Sequence, residues 1–258
     1  MEVEGRQAPG REPRSLTRQG TTARPPRPVP PSVWDWPEPE DGDGLVGFGA
    51  DLLPATLVDA YRHGIFPWPH DGVALPWFSP DPRGVLLPGG MHVSRSLRRT
   101  LRRCGWTTTV DTATAAVIAA CAEDRAEGTW ITSAMQRAYL RLHELGWVHS
   151  VEVWEGSALI GGIYGVQVGG IVTGESMFHR RSDASKVALL DLLDRLSAAG
   201  GLLLDVQLLT DHLARLGAVE LPRAAFLARL ATHRDDDVRL ALHRRSVTSL
   251  EMSGTLGA

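Results

Sequence analysis

The chain has 258 residues, a hydrophobic content of 43% and a formal net charge of -3, enough for one large domain or two smaller ones around a sizeable core. The net charge carries no polyanion-binding signature, no apolar run approaches the ~20 residues of a membrane span, and the N-terminus lacks the apolar core of a signal peptide. The two cysteines, Cys104 and Cys121, form no C-x-x-C pair and no metal spacing, so a reducing, cytoplasmic setting is expected rather than a disulfide framework.

Residues 1–31 hold seven prolines and six arginines with almost no large apolar side chain. Such a segment buries too little surface to offset its ordering entropy, so disorder is expected. A small unit over residues 32–81 follows. Residues 54–63 read as a short helix: Pro54 suits the first position, Leu57, Val58 and Tyr61 make one stripe, and Gly64 suits the cap. Two rigid aromatic turns come next, Phe66-Pro67-Trp68-Pro69 and Trp77-Phe78-Ser79-Pro80-Asp81-Pro82-Arg83. They are either a small core closed by turns or one wall of a pocket at a domain boundary.

Residues 82–110 contain no Asp or Glu. Arg95, Arg98, Arg99, Arg102 and Arg103 fall at i, i+3, i+4, i+7 and i+8, one face of a helix whose other face carries Val93, Leu97 and Leu101. Stacked like charges repel, so the face is either reserved for phosphates or solvated beside acidic neighbours. Helices are expected at residues 111–121, 132–145 and 184–199, and after Pro222. Strands at residues 148–154, 158–168 and 170–173 suggest an antiparallel meander, with a further strand at 202–207. Beyond about residue 232 a loose tail is expected. Glu175, in Gly174-Glu175-Ser176-Met177-Phe178, is placed where the meander gives way to the helix from Ala184. Partial desolvation there would raise its pKa; the plainer reading is a strand-end Glu paired with an Arg.

Taken together these segments resemble one family, the bacterial leucyl/phenylalanyl-tRNA–protein transferases. The likeness is carried by Tyr61-Arg62-His63-Gly64-Ile65-Phe66-Pro67-Trp68, Trp77 to Arg83, Gly128-Thr129-Trp130-Ile131 and His149-Ser150-Val151-Glu152-Val153-Trp154. It continues through Gly161-Gly162-Ile163-Tyr164-Gly165, Gly174 to Phe178, Ser185-Lys186 and Asp205-Val206-Gln207. The resemblance implies an α+β fold: a small N-terminal domain at residues 32–81 and a larger acetyltransferase (GNAT)-like domain at residues 82–232, with a mixed, largely antiparallel sheet and flanking helices. An extension at residues 1–31 and a tail at residues 233–258 lie outside these domains. It implies transfer of Leu or Phe, less often Met, from aminoacyl-tRNA to the N-terminal Arg or Lys of acceptor proteins, marking them for N-end-rule degradation. No cofactor, no metal and no membrane partner is implied, and a monomer is expected.

Residue by residue, the resemblance gives Asp205 and Gln207 to catalysis. It gives Tyr61, Trp68, Trp130 and Glu175 to the aminoacyl end of the tRNA, with Trp68 and Trp130 flanking the terminal adenine. Ile163, Met177, Leu192, Leu196 and Leu204 form the amino-acid side-chain pocket, and Thr210 stands where a substrate-binding Asn is usual. Arg95, Arg98, Arg99, Arg102 and Arg103 form the tRNA-binding face. Glu175 and Asp205 together are expected to present a negative field to a cationic chain end. A coenzyme-A acyltransferase of similar fold and a non-catalytic RNA-binding module remain as alternatives. The glycine-rich run at residues 161–170 reads as strand, not as a phosphate cradle opening a helix, which speaks against the first. The second leaves Glu175, Asp205 and Gln207 without a task.

Overall fold

The computed structural model describes residues 22–39, 43–70, 72–123 and 129–252. Residues 1–21 of the extension and Gly128 of the Trp130 motif therefore lie outside the described residues. A small antiparallel sheet comes first, with β1 (Leu45–Phe48), β2 (Phe66–Pro67) and β3 (Pro76–Phe78) in the order β1-β3-β2. Between β1 and β2 runs α1 (Pro54–Arg62), begun by Pro54 and ended by Gly64 at φ +73°. A glycine suits this left-handed turn, a conformation that side-chain-bearing residues rarely adopt.

The larger unit is an eight-stranded sheet. Its elements in chain order are β4 (Arg83–Leu86), α2 (Arg95–Arg103), β5 (Thr107–Val110), α3 (Thr114–Ala122), α4 (Ser133–Glu144), β6 (Val148–Glu155), β7 (Ala158–Val168) and β8 (Ile171–His179). There follow α5 (Ala184–Ala198), β9 (Leu203–Gln207), α6 (Asp211–Arg215), β10 (Val219–Leu221), α7 (Arg223–His233), β11 (Arg245–Ser246) and α8 (Ser249–Met252). The strand order is β10-β4-β9-β8-β7-β6-β5-β11. Neighbours are antiparallel except β8 and β9, which α5 joins as a parallel pair. The expected α+β architecture with a mixed, largely antiparallel sheet is thus what the chain forms.

Both faces of this sheet are buried. Successive strand residues divide between two hydrophobic clusters: Val85, Ile171 and Leu203 in one, Leu86, Val172 and Leu204 in the other. That is the period-two alternation of a covered strand. The first cluster takes in α1, α3, α4 and α7; the second takes in α2 and α5. Helix α5 is buried on nearly all sides, and its Arg195 reaches Asp191 at 2.8 Å within the core.

Two expectations about the ends do not hold among the described residues. Residues 22–31 were expected to be disordered, yet Ala23 N–H donates to Leu240 O at 2.8 Å and Arg27 N–H to Leu145 O at 2.8 Å. The Trp147 indole donates to Arg27 O at 2.9 Å. This segment is held through its backbone, which a composition argument does not weigh, and its prolines have little conformational freedom to lose. The segment after residue 232 was expected to be loose, yet Leu240, Val247 and Leu250 are buried and β11 pairs with β5. One of its arginines is drawn in by acids of α5: Arg245 bonds Asp191 and reaches Asp194 Oδ2 at 2.6 Å. Leu240→Ala should therefore destabilise the protein by about 2–5 kcal/mol, read from urea denaturation midpoints; a loose tail would leave the midpoint unchanged.

Candidate active site

Strand β8 does not stop at Thr173, as the sequence suggested. It runs to His179, and Glu175 lies inside it. Opposite it, Tyr164 pairs with Ser176 and Gly165 with Gly174, so Glu175 is the extra residue of a β-bulge. The next strand does the same one step further along the sheet. Gly84 pairs with Gln207 and Val85 with Asp205, which leaves Val206 as the extra residue. The parallel pairing of β8 with β9 ends at Thr173 and Asp205. Beyond that point both strands contribute the lining of a cavity: Gly174, Glu175 and Met177 from one, Val206 and Gln207 from the other.

Asp205 is fully buried and its carboxylate is fully engaged. Arg83 Nε donates to Oδ1 at 2.8 Å and Nη2 to Oδ2 at 2.7 Å, a bidentate pair in which both side chains are inaccessible. Thr173 Oγ1 donates to Oδ2 at 3.1 Å. The Gln207 backbone N–H donates to Oδ1 at 2.9 Å. Gln207 sits at φ +66°, a conformation that costs a non-glycine residue roughly 1 kcal/mol or more. Asp205 thus fixes Gln207 through its backbone. Because Arg83 neutralises Asp205, the negative field expected from two carboxylates reduces to that of Glu175 alone.

Glu175 is buried and pairs with no arginine at hydrogen-bonding distance among the described residues. Tyr61 donates to its Oε1 at 2.7 Å and Tyr139 to its Oε2 at 2.8 Å. Burial pushes the carboxyl up to about 7, against the two tyrosine hydrogen bonds, which lower it; Asp205 raises it further and Arg83 lowers it. Burial likewise holds both tyrosine hydroxyls well above their ordinary value, helped by the charge of Glu175, so they remain donors.

Two cavities meet at Glu175 and Gln207. One, of about 200 Å³, is walled by Phe66, Trp68, Trp130 and Thr210. The other, of about 140 Å³, is apolar and walled by Ile163, Met177, Leu189, Leu204 and Leu213. Of the residues carried over from the resemblance, Trp68, Trp130, Ile163, Glu175, Met177, Leu204, Gln207 and Thr210 are brought together here. Leu192 and Leu196 are not in the lining. Both are buried in the same hydrophobic cluster, and Leu189, about one turn earlier on α5, supplies that helix's contribution. Tyr61 touches the site only through Glu175. Thr210 Oγ1 accepts the Leu213 amide at 3.3 Å as the cap of α6. Sequence reasoning missed Arg83, Tyr139 and Leu189. Arg83 lies at the end of a quoted motif and Tyr139 inside the helix expected at residues 132–145, but nothing local marks either as a site residue.

The arginine helix forms as expected, capped by Ser94, with Leu97 and Leu101 buried. Arg95, Arg99, Arg102 and Arg103 are exposed and Arg98 is half-buried, its Nε donating to Val93 O at 3.3 Å. An acid does stand nearby: Asp183 accepts from Thr100 at 3.0 Å and pairs with Lys186 at 2.8 Å. Among the described residues no cluster of three or more His, Cys, Asp or Glu could hold a metal ion. Among them, too, no helix is long and apolar enough to cross a membrane.

An apolar slot and an aromatic slot that meet at a carboxyl and an amide suit the transfer of an acyl group between two bound partners. A family profile described as leucyl/phenylalanyl-tRNA protein transferase matches residues 85–231, and the profile of that family's N-terminal domain matches residues 50–81. The leucyl/phenylalanyl-tRNA–protein transferase of Aromatoleum aromaticum is 55% identical over 194 residues, 74% of this chain and 82% of that protein. That of Edwardsiella ictaluri is 51% identical over 199 residues, 76% and 82% of the two chains. That of Escherichia coli O81 is 50% identical over 196 residues, 74% and 84%. The chain belongs to the leucyl/phenylalanyl-tRNA–protein transferase family.

Arg83→Met should leave Asp205 as an uncompensated buried charge and lower stability by about 3–5 kcal/mol. Chemical denaturation would measure it; a change under 1 kcal/mol would mean the pair does not hold the site.

Proposed function

We propose that this protein moves leucine or phenylalanine, less often methionine, from an aminoacyl-tRNA to the N-terminal Arg or Lys of acceptor proteins. The product carries a new peptide bond and a destabilising N-terminal residue that marks it for degradation. The observation that carries the reading is the junction of two differently lined cavities at Glu175 and Gln207. The apolar one, about 140 Å³ or roughly five water volumes, suits a branched or aromatic side chain. Trp68 and Trp130, on the other, suit the faces of the terminal adenine, for which base–aromatic stacking is worth ~1–3 kcal/mol per base.

The chemistry asks little of the protein beyond alignment. An ester becomes an amide, which is downhill. The attacking α-amine has a pKa of about 7.7–8.0, so a useful fraction is already neutral near pH 7. Holding it against the ester carbonyl supplies most of the acceleration. Gln207, fixed by Asp205, accepts a hydrogen bond from that amine. The exposed arginines of α2 grip tRNA phosphates, and the acceptor is a protein or peptide chain end. The protein works as a monomer in the cytoplasm.

Labelled leucyl-tRNA offered peptides beginning Arg, Lys, Ala and Glu should label the first two and spare the others. Equal labelling of the Ala peptide would overturn the acceptor assignment; turnover of acetyl-coenzyme A without tRNA would replace the reading altogether. Replacing Arg99 and Arg103 by Ala should weaken tRNA binding and flatten the log–log salt dependence by roughly one unit per lost phosphate contact. An unchanged slope would take the helix out of the interface.

A further inference from the structure

Glu175, Tyr61 and Tyr139 form a closed triangle of oxygen contacts. The two hydroxyl oxygens stand 2.8 Å apart, in addition to the 2.7 Å and 2.8 Å contacts each makes with the carboxyl. All three are hydrogen-bond distances, and each requires a proton between the oxygens. A tyrosine brings one hydroxyl proton and an ionised carboxylate brings none. With Glu175 ionised, two protons serve three contacts, and lone pairs face each other across the third. One added proton closes the ring. The carboxyl O–H then donates to Tyr61, Tyr61 donates to Tyr139, and Tyr139 donates to the other carboxyl oxygen.

We propose that Glu175 is the proton acceptor of the transfer reaction, with Tyr61 and Tyr139 as positioning residues that hold its carboxyl at the junction of the two cavities. This rests on the function proposed above and names the base within it. Glu175 borders both cavities, where the amine and the acyl group would meet. The groups facing it are Tyr61 from α1, Tyr139 from α4, Asp205 from β9 and Arg83 from β4, with Tyr164 of β7 acting on both tyrosines. Asp205 and Arg83 act on it in opposite directions and are paired with each other. Burial, which pushes the carboxyl up to about 7, is the dominant cause and does not depend on that pair. The value lies just below that of the amine it would relieve.

The step balances without a further reactant. The acceptor enters as an ammonium and gives one proton to Glu175. The freed nitrogen lone pair attacks the ester carbonyl carbon, so a C–N bond forms and the C–O bond to the ribose breaks. Of the two protons left on nitrogen, one goes to the departing ribose oxygen and one remains on the amide. Glu175 then returns its proton to solvent.

The test is the pH dependence of single-turnover transfer from leucyl-tRNA to a lysine-headed peptide between pH 5.5 and 8.5, range chosen about the pKa values above. Wild type should lose rate as pH falls through about 7, where Glu175 becomes protonated before the amine can use it. Glu175→Gln keeps the size and can close the same ring, but takes no proton. It should be slower by about 100-fold near pH 6, with a deficit that shrinks at least about tenfold by pH 8.5, where the amine is already neutral. Tyr139→Phe removes a hydrogen bond that lowers the carboxyl's pKa, so it should move the acid limb to higher pH. An active wild type with a pH-independent Glu175→Gln deficit, or an acid limb unmoved in Tyr139→Phe, overturns this inference alone. A wild type that transfers nothing overturns the function and this step together. Should Glu175→Gln fail to fold, the Tyr139→Phe limb decides.

Discussion

The site depends on one buried ion pair, Arg83 with Asp205. The guanidinium is held on every side: both carboxylate oxygens of Asp205, the Gly64 carbonyl at 3.0 Å, and the rings of Phe66 and Phe226 at 5.0 and 4.7 Å. Gly64 and Phe66 belong to the small N-terminal unit, Asp205 to the central sheet, and Phe226 to the last long helix. One side chain therefore fixes three parts of the chain relative to each other. A planar fork can do this and an ammonium cannot, since three nitrogens must each meet a separate acceptor in one plane while the faces stack. A buried pair of this kind adds little net stability over a well-packed apolar substitute. Its contribution is geometric: it fixes the carboxylate oxygen that receives the Gln207 amide.

That geometry explains the two bulges. A regular β9 would carry Val206 and Gln207 onward in register with β4 and β8, and the sheet would stay closed. The extra residue on β9 and the extra residue on β8 let the two strands part just beyond Thr173 and Asp205. The parity of β8 also changes at Glu175. Ile171 belongs to the cluster beneath α1 and α4, whereas Met177 packs with the α5 side. A strand without the bulge would place residues 171, 175 and 177 on one face. The bulge is what allows Glu175 to meet Tyr61 and Tyr139 while Met177 lines the apolar cavity.

These relations mark what sequence could and could not carry. The helices were legible because their periodicity and caps are local: Thr132 caps α4, Ser94 caps α2, and Leu97 and Leu101 lie opposite the arginines. The turns at Gly156 and Gly169, both at positive φ, carry a local signal of the same kind. The site residues came from motif resemblance, and most of them do converge. What stayed hidden depends on partners far away in the chain. Nothing local marks Val206 as an extra residue, since that is a statement about β4. Arg83 and Asp205 are 122 residues apart. The clasp of residues 22–31 against residues 145 and 240 is made by backbone groups, which leave no trace in composition.

Two carboxyls 30 positions apart in sequence thus receive opposite treatment from one sheet. Asp205 is given a bidentate guanidinium, a threonine hydroxyl and a backbone amide, which occupy both its oxygens. Glu175 is given burial and two hydroxyls that already contact each other, an arrangement short of one proton. One carboxylate is thereby tied into the scaffold, and the other is left bordering the cavities. The separation is not independent of the architecture. If Arg83 were absent, the Asp205 charge would act unopposed on Glu175 and raise it further, while Gln207 would lose the anchor that holds its strained backbone. The ion pair therefore sets both the geometry at Gln207 and the electrostatic background against which Glu175 gains or loses its proton.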